Sequence, residues 1–128
     1  MAIIMINTLV FIYFVQKPIY AINKLYRLLG FTPAVFFSMP AGLAWSYRLT
    51  LLTSMFIHGS LGHVLTNMLY LWVFGSTLED EIGHLPFLAF YLCSGMLATL
   101  CYGISRTGSW LPLIGASGAA MKIGRAHV

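Results

Sequence analysis

His63 and Asn67 are two strongly polar side chains set four residues apart in the apolar run Leu51–Phe74. On a helix that spacing puts both on one face, one turn apart, and Tyr70 and Phe74 continue the same face. Polar groups in a span are costly unless they meet partners or a water-filled cavity. Such a pair either glues a helical bundle by an interhelical hydrogen bond or belongs to a functional site, and the spacing leaves both readings open.

A second candidate is Gly115-Ala116-Ser117-Gly118, a hydroxyl among residues with almost no side chain. Gly115 and Gly118 let another backbone come close. If Ser117 opens a helix, the backbone N–H groups beside it are unpaired. Such donors can stabilise an oxyanion next to an attacking serine. The same four residues also serve as a small-residue packing motif or a plain helix cap.

The elements that must position these groups read as membrane helices. The chain has 128 residues, 59% of them hydrophobic and 8% charged, with a mean hydropathy of +0.86. A soluble domain carries roughly 25% charged residues, so this chain lacks the groups to clothe a water-facing surface. The formal net charge is +4. Its acids are Glu79, Asp80 and Glu81, and its bases are scattered without a run or an aromatic interleaving. That pattern speaks for loops near lipid headgroups and against a nucleic-acid partner. Cys93 and Cys101 lie in an apolar run and have neither metal nor disulfide spacing, so they read as packing residues. No metal and no organic cofactor is implied.

The expected fold is all-α: a polytopic membrane bundle of three transmembrane helices and the start of a fourth, with an interfacial helix and loop after the first. The first apolar run, Ala2 to Val15, is short for a span of about 20 residues. In Lys17 to Thr50, Ile19, Ile22, Tyr26 and Leu29 recur at helical spacing, which predicts an amphipathic helix in the interface followed by an irregular loop. Trp45 and Tyr47 suit headgroup depth. The second span is Leu51 to Phe74, then a loop from Gly75 to His84. The third is Leu85 to about Ile104, where Gly95, Thr99 and Gly103 form a small-residue stripe that lets helices approach closely. After a loop from Ser105 to Pro112, Ile114 to Ala120 reads as the entry of a fourth helix.

The last seven residues, Lys122 to Val128, break that entry with two charges. Reverse-translated, they can be written AAG ATC GGA AGA GCA CAC GTC, which resembles the start of a short-read sequencing adapter. They are expected to be read-through, so that the true protein continues past Met121 with other residues. His127 then carries no functional weight, and without Lys122 and Arg125 the net charge becomes +2.

Taken together, the motifs resemble the rhomboid family of intramembrane serine proteases. The likeness rests on Thr53 to Met68 (TSMFIHGSLGHVLTNM), Phe74-Gly75, Leu78-Glu79-Asp80, Ile82-Gly83-His84, Tyr91, Ser94-Gly95 and Gly115-Ala116-Ser117-Gly118, and runs from about Leu9 to Met121. It implies a partial rhomboid domain over residues 1–121 that lacks the later helices of a six-helix core. Ser117 matches the nucleophile. His63 and Asn67 match the pair that stabilises the oxyanion with the Ser117 backbone N–H. Gly115 matches the glycine that keeps the site open, and Glu79 a structural acid. The family's base is a histidine on the sixth core helix, which these residues do not reach. Since a serine needs an adjacent base, the 128 residues alone are expected to be inactive. The complete protein is expected to cleave transmembrane segments of other membrane proteins. The four bases of Lys17 to Thr50 would put that loop in the cytoplasm, whereas the family pattern puts it and the site outside.

The resemblance further implies a multi-pass protein with transmembrane substrates, and the expected location is the inner membrane of a prokaryote. Two other functions fit the same residues: a rhomboid-like protein that binds transmembrane clients without cutting them, and part of an unrelated transporter with His63 and Asn67 lining a path.

Overall fold

The chain, seen as a computed structural model, is described over residues 1–40, 42 and 45–114. All its regular elements there are helical, and the backbone pairing between segments is an isolated antiparallel bridge, Phe31 to Leu113. The all-α expectation holds for these residues. The fourth-helix entry, with Gly115, Ser117 and Gly118, and the Lys122–Val128 tail lie outside them.

Helix α1, Ala2–Val15, is apolar all round. At about 1.5 Å per residue it reaches about 21 Å, short of a hydrocarbon core of roughly 30 Å. Two of its polar side chains donate back to the helix: Asn7 Nδ2 to the Ile3 carbonyl at 2.8 Å and Thr8 Oγ1 to the Ile4 carbonyl at 2.8 Å. Helix α2, Ile19–Leu29, is amphipathic as expected. Leu25, Tyr26 and Leu29 pack against the core of Phe14, Ile57 and Ile114, with the Tyr26 ring stacked on Phe14 at 5.8 Å. Its outer face leaves Tyr20, Lys24, Arg27 and Leu28 exposed. Ile19, expected on the buried stripe, is 72% exposed, because it starts the helix just after Pro18 and overhangs the core.

The expected irregular loop contains two short helices, α3, Pro33–Ser38, and α4, Trp45–Arg48; a third, α5, Thr50–Thr53, opens the expected second span and runs into a 3-10 turn at Ser54–Phe56. Thr53 Oγ1 donates to the Leu29 carbonyl at 2.7 Å and ties this segment to α2.

The second span differs from expectation. The helical run breaks at Ile57–Ser60 and restarts as α6, Leu61–Tyr70, capped by Ser60, whose Oγ accepts from the His63 N–H at 3.2 Å. It continues through a π turn, Leu71–Gly75, into α7, Ser76–Ile82. The expected loop at Gly75 is thus helical. Gly75 has helical dihedrals and is small because Phe87 packs over it: a Cβ there would lie 3.2 Å from that ring. The true turn is at Gly83, with φ +89°, a conformation glycine adopts without a steric penalty. Helix α8, His84–Ser105, follows. Among the described residues it is the one helix long and apolar enough to cross a membrane; α1 is too short, and the helical path from α6 to α7 ends in three acids.

The small stripe of α8 takes side chains instead of a bare helix. Gly95 lies under Met55, and a Cβ at Gly103 would come within 2.6 Å of the Phe31 ring. Phe31 is fully buried, and its backbone N–H and carbonyl pair with those of Leu113 at 3.0 and 2.7 Å. That bridge fastens the segment after α8 beside the segment after α2. Leu113 and Ile114, the last described residues, are held there in the core.

Candidate functional site

The break at Ile57–Ser60 is what builds the site. It puts His58 on the turn and His63 and Asn67 on the first turns of α6. Asn67 Nδ2 lies 3.0 Å from His58 Nε2 and 3.0 Å from His63 Nε2. The two imidazoles meet at 4.9 Å, tilted by 59°. His58 is buried at 3% exposure, whereas His63 and Asn67 are half-buried. The expected pair of His63 and Asn67 is therefore brought together, but as part of a triad. His58 appears in the sequence as part of a polar patch, and nothing in its spacing to Asn67 marks it as a partner, because the contact crosses a turn and not a helix face.

The triad stands beside a cavity of ≈ 350 Å³ between α6 and α8. His58 and Asn67 line it from one side. Tyr91, Ser94, Thr99 and Tyr102 line it from α8, at spacings that put them on one helical face. Met55 and Leu113 also line it. Within it, the Ser94 hydroxyl is already committed to the Tyr91 carbonyl at 3.1 Å. In the sequence Tyr91 and Ser94 stand out only through the family resemblance, and Thr99 only as part of the small-residue stripe.

An amide nitrogen carries two N–H groups, its oxygen two lone pairs, and each neutral imidazole offers one donor and one acceptor. Asn67 and the two imidazoles can thus pair without a charge, while the buried Nδ1 of His58 has no hydrogen-bond partner among the described residues. The triad holds neither a nucleophile nor a carboxylate. Among the described residues no group of three or more His, Cys, Asp or Glu side chains is placed to hold a metal.

Glu79 does different work at the far end of α7. Its Oε2 accepts from the Met1 amine at 2.7 Å and its Oε1 lies 2.7 Å from His84 Nδ1. The amine, and after it His84, hold the Glu79 carboxyl below its ordinary range. This ion cluster clasps α1, α7 and the start of α8 around Gly83.

The segment that builds the triad and the cavity is also what the chain shares with known proteins. Residues 44–126 match the Rhomboid domain family. The presenilin-associated rhomboid-like protein, mitochondrial, of Bos taurus is 39% identical over 75 residues, covering 57% of this chain. Its Homo sapiens counterpart is 37% identical over 75 residues. Rhomboid protein 1, mitochondrial, of Saccharomyces cerevisiae is 32% identical over 131 aligned positions, covering 88% of this chain. The chain spans 20% of the length of the two animal relatives and 37% of the yeast one. No solved structure matches it. The relatives are named mitochondrial, which runs against the prokaryotic inner membrane expected from the sequence. With the His58–His63–Asn67 turn, the α8 wall and most of the chain all inside that match, this chain belongs to the rhomboid family of integral membrane proteins.

Proposed function

We propose that these 128 residues form the client-holding half of a rhomboid site, one that by itself binds a transmembrane segment without cutting it. The observation that carries this reading is the His58–His63–Asn67 triad bordering a cavity between α6 and α8. A transmembrane segment whose helix locally opens exposes backbone groups that need partners in a dry bundle. The triad offers such partners.

In the complete protein we infer intramembrane serine endoproteolysis. Ser117 is its nucleophile, and a histidine from a later helix supplies the base. Asn67, His63 and the Ser117 backbone N–H stabilise the oxyanion, while Gly115 and Gly118 leave room for the substrate backbone. Leu113 lines the cavity, and Ser117 follows it by four residues in the sequence. The expected fold is three transmembrane helices and the start of a fourth: Ala2 to Val15, Leu51 to Phe74 and Leu85 to about Ile104, then the entry at Ile114 to Ala120. The mitochondrial relatives support an organellar membrane for it. Read-through at Lys122 to Val128 is part of the same proposal, and the gene sequence past Met121 tests it.

The experiment is a reporter transmembrane substrate presented to the complete protein, to its Ser117→Ala variant and to the 128 residues alone, all in proteoliposomes. Cleavage is expected from the complete protein only, with substrate still bound by the other two. Binding by all three without cleavage leaves the client-binding function and removes the protease. Cleavage that survives Ser117→Ala removes Ser117 as nucleophile, and cleavage by the 128 residues alone removes the need for a later histidine.

A further inference from the structure

Asn67 turns its amide nitrogen toward two imidazoles at equal distance, Nδ2 lying 3.0 Å from each Nε2. The nitrogen and oxygen of an amide are interchangeable at such distances, and the two registers have opposite consequences. With the nitrogen toward the rings, both N–H groups are consumed by Nε2 acceptors, and Asn67 has no proton left for a developing oxyanion. With the oxygen toward the rings, Oδ1 accepts an N–H from each Nε2, and both amide N–H groups face away from the rings. Only the second register makes Asn67 an oxyanion donor.

One hydrogen bond from His63 leaves the amide free to pivot about Cβ–Cγ, and a second one fixes its plane. His58 is suited to supply it. Its ring is buried at 3% exposure on the Ile57–Ser60 turn, so it has little room to swing aside, and it packs on His63 at 4.9 Å. Whichever proton state His58 holds toward Asn67 selects the end of the amide that meets the substrate.

We propose that His58 is a positioning residue that orients the Asn67 amide and acts on the reacting carbonyl only through Asn67. This rests on the oxyanion role proposed above for Asn67. The test is a double-mutant cycle on the complete protein in proteoliposomes, with kcat and KM for a reporter transmembrane substrate. Asn67→Ala is expected to lower kcat by about 10²- to 10³-fold. His58→Phe, which keeps the ring and loses the hydrogen bond, is expected to lower kcat about tenfold with KM nearly unchanged. In the Asn67→Ala background His58→Phe is expected to cost nothing more, because residues that act through one another are not additive. His58→Gln, which restores an amide to the same contact, is expected to recover most of kcat. A His58→Phe loss that persists in full without Asn67 overturns the proposal. If Asn67→Ala leaves kcat intact, the oxyanion reading itself falls and takes this one with it. If His58→Phe fails to fold, His58→Gln decides: a folded variant whose loss is the same with and without Asn67 refutes the positioning role.

Discussion

Helices α6 and α8 each leave a glycine-containing turn, at Gly59-Ser60 and at Gly83, and each forms a wall of the same cavity. They spend their polar residues in opposite ways. On α8 two serines serve their own helix: Ser94 donates to the Tyr91 carbonyl and Ser105 to the Tyr102 carbonyl. Its glycines are seats for Met55 and Phe31. On α6 Asn67 meets His63 one helical turn back and His58 across the preceding break, and the helix loosens into a π turn directly after Tyr70. Such π turns are frequent at functional sites. The difference separates a wall that shapes the cavity from a wall that can offer it hydrogen bonds.

The sharpest way to break that contrast is to remove one polar group from each wall. In the complete protein Asn67→Ala is expected to lower cleavage by about 10²- to 10³-fold. Ser94→Ala, on the opposite wall, is expected to leave it within about twofold, since its hydroxyl already serves its own helix. Rate measurements on the two variants check this. Equal losses would mean that both walls do chemistry and that the division drawn here is false.

The α8 wall has its own weak point, which is steric. Gly103→Val is expected to destabilise the chain by about 1–3 kcal/mol, because a Cβ at that position meets a fully buried Phe31 ring pinned by the Leu113 bridge. Thermal unfolding in detergent measures it. The same substitution at Gly62, where a Cβ meets nothing within 4 Å, is expected to change stability by much less. A Gly103→Val protein as stable as the original would show that α8 is not held by that contact.

These walls were unequally legible in the sequence. The α8 stripe Gly95–Thr99–Gly103 was visible because periodicity along one helix is local information. What it receives was not, since Met55 and Phe31 come from segments about 40 and 72 residues away. His63 and Asn67 were visible for the same reason as the stripe. His58 was not, because its contact with Asn67 exists only once the run breaks at Ile57–Ser60, and an apolar run carries no mark of where it will break beyond one glycine and one serine. Gly75 misled in the opposite sense: glycine before a cluster of acids reads as a turn, yet it is there to admit Phe87. Ser117 was legible only through its company, and its placement lies outside the described residues.

The smallest effect expected concerns the clasp that holds the two helical paths together outside the cavity. Glu79 has its carboxyl held below the ordinary value of 4.5 by the Met1 amine and then by His84. A group whose folded pKa is depressed contributes stability that is present above its unfolded value and is lost as pH falls through the folded one. The clasp is therefore expected to support the fold at neutral pH and to fail on acidification below about 4.5. Because the carboxylate is solvent-accessible, salt screens it and the contribution is small. Thermal unfolding followed from pH 7 downward should show a shallow loss of stability in the acid range, and Glu79→Gln should flatten that part of the curve while leaving the cavity and client binding unchanged. An acid limb that stays as steep in Glu79→Gln would assign it to another group and reduce Glu79 to a surface contact; a loss of client binding in that variant would couple the clasp to the cavity and join the two regions contrasted above.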